Sequence, residues 1–171
     1  MKRLLLAAAL SLAAALPAMA QTVVIVRHAE KADASADPLL SEAGQARARA
    51  LAAELNDAHP SVILTSPLQR TILTAAPTAD YHSVTSEAVS LEGGGGAHIA
   101  AIVARVRALP EDATVLIVGH SNTGPAIARA LGYAEAADMP ECEYDRMTVL
   151  HLNGGEAHGV VRRYGEPTTC D

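Results

Sequence analysis

The sequence of 171 residues contains no phenylalanine and no tryptophan, and only four tyrosines. Proteins that recognise nucleobases or sugars by stacking use aromatic side chains, so this composition argues against such a binding platform. The hydrophobic core must be built mainly from alanine, valine, leucine and isoleucine. Basic residues are fewer than acidic ones: the chain has 13 lysines and arginines and 19 aspartates and glutamates. This charge balance argues against nucleic acid as a partner.

Long apolar runs are confined to the start of the chain. The basic pair Lys2 and Arg3 precedes the apolar stretch 4–16, and small residues follow at 18–20, an order typical of secretory signal peptides. We therefore expect cleavage of residues 1–20, a single domain over 21–171, and a periplasmic or secreted protein. No later apolar run is long enough to span a membrane.

Cysteine is limited to Cys142 and Cys170. An oxidising compartment favours a disulfide between them, and two unpaired thiols are the alternative. Two β-rich segments, 147–152 and 159–164, lie between the cysteines and are joined by a glycine-containing turn. The bridge would therefore close the base of a hairpin.

Two apolar segments, 22–26 and 114–118, are rich in β-branched residues and lack polar alternation. This pattern is typical of parallel strands that are buried on both faces. Helical segments alternate with the strands, which predicts a three-layer α/β/α sandwich with a mostly parallel central sheet and a C-terminal antiparallel hairpin.

Local signals place the remaining elements. We expect a helix from Ser41 to about Leu55, a strand over 62–65 and a weaker strand near 83–85. Ser66 and Ser121 stand where helix N-caps are expected. The run of glycines at 93–96 predicts a mobile loop before a helix that starts near Ile99.

Four side chains follow the predicted strands: Arg27 and His28, Arg70, and His120. Ligands of open α/β sheets lie beyond the carboxyl ends of the strands, so these groups are expected to form one site. Two arginines and two histidines suit a dianionic tetrahedral ligand such as phosphate. A zinc hydrolase that uses both histidines and a carboxylate is a weaker alternative, because the arginines would repel a cation.

The sequence resembles the histidine phosphatase (phosphoglycerate mutase-like) superfamily. Four blocks carry the resemblance, in order along the chain: Val26–Lys31 (VRHAEK), Leu40–Ala46 (LSEAGQA), Thr65–Thr71 (TSPLQRT) and Val118–Asn122 (VGHSN). Together they span most of the predicted domain.

The resemblance implies that His28 is a nucleophile that forms a phosphohistidine, and that Arg27, Arg70 and His120 bind the phosphoryl group. It also implies a glutamate general acid after the third strand. Glu92 is the first candidate for this acid and Glu87 is the second. The third alternative is that neither acts, because the small phosphohistidine phosphatases, which the chain also resembles in size, work without a strong acid. The tetraglycine departs from the sequence that usually follows the acid in the family.

We therefore expect an exported, metal-independent phosphatase that needs no cofactor and acts on small-molecule or envelope phosphorylated substrates. A non-hydrolytic protein that binds phosphate or another anion on the same fold is the alternative. The sequence carries no signal for the number of subunits.

Overall fold

The computed structural model describes residues 20–153 and 156–170, so nearly all of the predicted signal peptide lies outside the described part of the chain. Within these ranges no helix is both long and apolar enough to cross a bilayer. The strands and helices follow one another in this order: β1 Gln21–Arg27, α1 Glu42–Glu54, β2 Val62–Thr65, α2 Gln69–His82, β3 Ser86–Ala88, α3 Gly94–Arg107, β4 Thr114–Gly119, α4 Thr123–Ala130, β5 Arg146–Asn153 and β6 Glu156–Arg163.

The strands form one sheet in the order β3-β2-β4-β1-β5-β6. The pairs β2–β3, β2–β4 and β1–β4 are parallel, whereas β5 runs antiparallel to both β1 and β6. This arrangement confirms the predicted fold class. It also makes β1 and β4 neighbours at the centre of the sheet, although about 90 residues separate them along the chain.

Helices cover both faces of the sheet, which explains the uninterrupted apolar character of β1. Val23 and Ile25 pack with residues of α3 and α4, whereas Val24 and Val26 pack with residues of α1 and α2. Successive strand side chains point to opposite faces, so a strand between two helical layers needs apolar residues at every position.

The structure corrects two predicted element positions. The weak third strand lies at Ser86–Ala88 rather than at 83–85, because Ser83 is the left-handed C-cap of α2 (φ 55°). The glycine run is not a loop, because residues 94–96 form the first turn of α3. Glycine weakens a helix by about 1 kcal/mol relative to alanine, so the apolar stripe farther along α3 must stabilise this turn.

The two predicted serine caps have other partners. The N-caps of α2 and α4 are Leu68 and Asn122, and neither makes a side-chain capping bond. A carboxylate from a distant loop acts at α2 instead, since Asp37 Oδ1 accepts a hydrogen bond of 2.8 Å from the Gln69 amide. Ser66 is fully buried and Ser121 nearly so, and both bind side chains at the candidate site described below.

A disulfide joins Cys142 to Cys170, as the sequence predicted, with 5.3 Å between the two Cα atoms. It ties the segment before β5 to the chain after β6. Buried Asp145 strengthens the same connection, because its carboxylate accepts hydrogen bonds from Thr168 Oγ1 (2.7 Å) and from Arg163 Nη1 (2.7 Å).

We expect replacement of both cysteines by serine to lower the free energy of unfolding by about 3.5 kcal/mol, because the bridge closes a loop across 28 positions. Urea denaturation of the double variant beside oxidised and reduced wild type measures the loss. Equal midpoints for all three proteins would show that the bridge does not stabilise the fold.

Candidate active site

The register of two central strands brings the histidines together. Arg27 of β1 is paired with Gly119 of β4, and the His28 amide donates a hydrogen bond of 2.9 Å to the Gly119 carbonyl. His28 and His120 are therefore the first residues beyond two adjacent parallel strands. Their ring centroids lie 5.4 Å apart, so the predicted convergence at the carboxyl edge is confirmed.

The His28 ring is held in one orientation. Its Nδ1 lies 2.8 Å from the Ala29 carbonyl oxygen, which can only accept, so Nδ1 carries the proton and Nε2 keeps a free lone pair. The residue is only 4% exposed. Burial, together with the positive charges of Arg27 and Arg70, lowers the pKa of His28 to about 4, although the bond to Ala29 opposes the shift.

His120 is fixed at both its backbone and its ring. Its amide donates to Thr123 Oγ1 (3.0 Å), and its Nε2 lies 3.1 Å from Ser66 Oγ. Burial, followed by the effect of His28, lowers the pKa of His120 to about 3. Both imidazoles are therefore neutral at physiological pH.

Arg27 is buried, with only 2% exposure, and is held by the segment that precedes β5. Its Nη1 donates to three backbone carbonyls, those of Pro140 (3.2 Å), Glu141 (2.5 Å) and Glu143 (3.3 Å). The guanidinium carbon also lies 4.1 Å from the centroid of the Tyr144 ring. The position of this cation beside His28 is therefore fixed by its surroundings.

Arg70 is held more loosely. Its Nη1 donates to the Ala36 carbonyl at 3.3 Å and lies 3.8 Å from Asp37 Oδ1. Its buried Nε has no hydrogen-bond partner among the described residues. An unsatisfied buried donor is costly, and an anion bound in the cleft would supply an acceptor.

A carboxylate that sequence reasoning missed lies in the cleft. Glu141 Oε2 accepts a hydrogen bond of 2.8 Å from Arg27 Nη2, and its Oε1 accepts one from Ser121 Oγ. The side chain is 81% exposed. The Ser121 hydroxyl first, and then the positive charge of Arg27, lower the pKa of Glu141. No motif or periodicity marked this residue, because its place depends on long-range contacts of the segment before β5.

Neither glutamate proposed from the sequence lines the cleft. Glu87, on β3, forms an exposed ion pair with Arg105 (2.7 Å), and this partner lowers its pKa. Glu92 is exposed, and its amide bonds to Ser90 Oγ (3.0 Å). Its neighbours Leu91 and Gly95 line the cleft instead.

The cleft is open to solvent and combines basic, neutral polar and apolar groups. Its lining comprises Arg27, His28, Lys31, Leu68, Arg70, Leu91, Gly95, His120, Ser121, Asn122, Thr123 and Glu141. Across the part of the chain that the structure describes, no group of three or more His, Cys, Asp or Glu side chains is arranged to hold a metal ion. The arrangement suits an anion and a nitrogen nucleophile.

We expect His28 to remain neutral, with the proton on Nδ1, when the pH is lowered from 7.5 to 5.5. A lowered pKa means that protonation begins only as the pH approaches about 4. Nitrogen-15 NMR of histidine-labelled protein measures the tautomer, and a His28→Gln variant assigns the signal. Titration of His28 near its ordinary value of 6.5 would contradict this description of its surroundings.

Comparison with known proteins agrees with this geometry. Residues 23–91, which contain Arg27, His28 and Arg70, match the model of the histidine phosphatase superfamily (branch 1). Phosphoserine phosphatase 1 of Hydrogenobacter thermophilus is 43% identical over 65 residues. That match covers 34% of this chain and 31% of the relative, so the chain matches only about a third of the relative's length.

Solved structures extend the similarity over most of the fold. The SixA protein of Nakamurella multipartitia is 28% identical, with a TM-score of 0.61, over 88% of this chain and 98% of its own. A protein histidine phosphatase SixA complexed with tungstate has the same fold, at 22% identity and a TM-score of 0.62, over 85% of this chain and 97% of its own. Residues 23–91 therefore match the histidine phosphatase superfamily, and most of the chain shares its fold with the solved SixA structures.

Proposed function

We propose that this protein is an exported phosphohydrolase that works without a metal and transfers the phosphoryl group of its substrate to His28. The observation that carries the proposal is the neutral His28 ring, whose Nδ1 proton is bound to the Ala29 carbonyl and whose Nε2 is free to attack. A nucleophile held in one tautomer beside two arginines suits attack on a phosphate dianion.

The reaction proceeds in two displacements. His28 Nε2 forms a bond to phosphorus while the bond from phosphorus to the leaving oxygen breaks, and the leaving oxygen takes up a proton. Water then attacks the phosphorus, loses a proton, and displaces Nε2 to release inorganic phosphate. Both displacements pass through a transition state whose charge is spread over the phosphoryl oxygens.

The basic groups of the cleft stabilise that charge. The unsatisfied Arg70 Nε and the Lys31 ammonium are donors for the phosphoryl oxygens, and the His120 ring lies 5.4 Å from that of His28. The tetrahedral oxyanion tungstate, bound by one protein of similar fold, is a suitable probe of the same chemistry here. We therefore assign phosphoryl binding to Arg27, Arg70 and His120.

Phosphate monoesters outside the cytoplasm are the proposed substrates, among them phosphorylated sugars, envelope phosphates and scavenged esters. The signal-like segment 1–20 supports the location. The open cleft supports the breadth of the class, because little of the chain closes over it. A protein that binds anions without hydrolysing them is the competing function.

Purified protein, incubated with p-nitrophenyl phosphate and a panel of sugar phosphates in the presence of a chelator, tests the proposal. We expect release of phosphate that tungstate inhibits, and loss of at least 1,000-fold in kcat for His28→Ala, because the nucleophile is removed. Arg70→Ala should raise KM, since a phosphate ligand is lost.

His158→Ala is the matched control, because this histidine is exposed on β6, away from the cleft. It should retain wild-type activity. If wild type and His28→Ala are equally inactive while both bind phosphate, the protein is an anion-binding protein. Activity that the chelator removes and zinc restores would instead support a zinc hydrolase.

A further inference from the structure

Hydrolysis of an alkyl phosphate requires a proton donor, because an alkoxide is a poor leaving group. The two histidines of the cleft already have other roles in the proposed reaction, His28 as the nucleophile and His120 in binding the phosphoryl group. Glu87 is held by Arg105 on the outer surface, and Glu92 lies outside the cleft. The donor must therefore come from another part of the chain.

Glu141 is the one carboxylic side chain among the described residues that line the cleft. It comes from the segment between α4 and β5, on the opposite side of the central strands from β3. Its backbone is fixed because its own carbonyl and those of its neighbours hold Arg27, and because Cys142 is part of the disulfide. Its side chain, in contrast, is 81% exposed, so a substrate in the cleft can reach the carboxylate.

We infer that Glu141 is the general acid and base of the reaction that we have proposed, and that the substrates are phosphate esters of alcohols. This inference rests on the proposed function. It assigns the proton-transfer role to a residue that enters the cleft from the opposite side to the glutamates expected from the sequence. In the first displacement Glu141 donates its proton to the leaving alcohol oxygen. In the second it accepts a proton from the attacking water, so that the carboxyl group is regenerated.

The contact with Arg27 explains how a resting carboxylate acquires the proton. In the free protein, Arg27 Nη2 and the Ser121 hydroxyl both favour the ionised form. A phosphoryl dianion competes for Arg27 and places negative charge beside the carboxylate. Both changes favour the protonated form of Glu141, so substrate binding and proton uptake are coupled.

Two other roles for Glu141 are physically reasonable, and they predict different kinetics. A carboxylate that only competes with phosphate for Arg27 would weaken binding of every phosphorylated substrate. A carboxylate that only fixes the segment before β5 would affect all substrates alike when it is removed. A proton donor matters most when the leaving group is a strong base, and little when the leaving anion is already stable.

The experiment compares Glu141→Gln with wild type on p-nitrophenyl phosphate, phenyl phosphate and glycerol 2-phosphate. We expect kcat/KM for glycerol 2-phosphate to fall about 100-fold or more, and the loss to shrink progressively through phenyl phosphate to p-nitrophenyl phosphate. The ratio between substrates cancels any general effect on phosphate binding. Circular dichroism confirms that the variant folds, and glutamine preserves the size of the exposed side chain.

The matched control is Glu111→Gln, because Glu111 is exposed in the turn between α3 and β4. Its substrate ratios should equal those of wild type. Equal changes on all three substrates, or a rise in kcat/KM on all three, would overturn the assignment of Glu141. A selective loss in Glu92→Gln would overturn it as well. Absence of any wild-type hydrolysis would refute the proposed function itself, so the two failures are distinguishable.

Discussion

The site depends on the burial of a single positive charge at the end of the central strand. Arg27 is 2% exposed, yet its guanidinium finds three carbonyl acceptors, one carboxylate and the face of one aromatic ring. A buried charge is costly unless hydrogen-bond acceptors surround it, and here most of the acceptors are backbone carbonyls of the segment before β5. The segment before β5 must therefore lie against the end of β1 whenever the protein is folded.

Several features of the site follow from this arrangement. The cation lies next to His28 and, together with burial, keeps the imidazole neutral. It also forms an ion pair with Glu141 in the cleft, where the same carboxylate accepts a hydrogen bond from Ser121. The disulfide at Cys142 ties the same segment to the chain after β6, so the covalent bridge and the buried charge stabilise one geometry. The contacts that stabilise this segment are therefore also the contacts that position the side chains of the site.

The central sheet and the convergence of His28 with His120 were predictable from the sequence. Strand signals are local, and parallel strands present their carboxyl ends at one edge by geometry alone. The partners of Arg27 were not predictable, because backbone carbonyls are supplied by every residue type and leave no mark in the sequence. Glu141 was missed because its position depends on long-range contacts of the segment before β5.

Two local sequence signals gave wrong predictions because contacts with residues distant in sequence had the larger effect. Ser66 stands where a helix N-cap is expected, but its hydroxyl bonds to His120, and Asp37 accepts the hydrogen bond from the Gln69 amide of α2. The glycine run has the composition of a loop, yet the packing of Ile102 and Val106 fixes the helix that begins there. In both cases tertiary contacts outweighed a propensity of about 1 kcal/mol.

The proposed mechanism requires that His28 becomes covalently phosphorylated during turnover. The direct measurement is to quench the wild-type protein in alkali during hydrolysis of a labelled phosphate monoester, and to map the label by peptide mass spectrometry. A covalent mechanism predicts an acid-labile, alkali-stable phosphoryl group on His28 alone. Label on His120, or hydrolysis without any labelled protein at the shortest quench times, would contradict it.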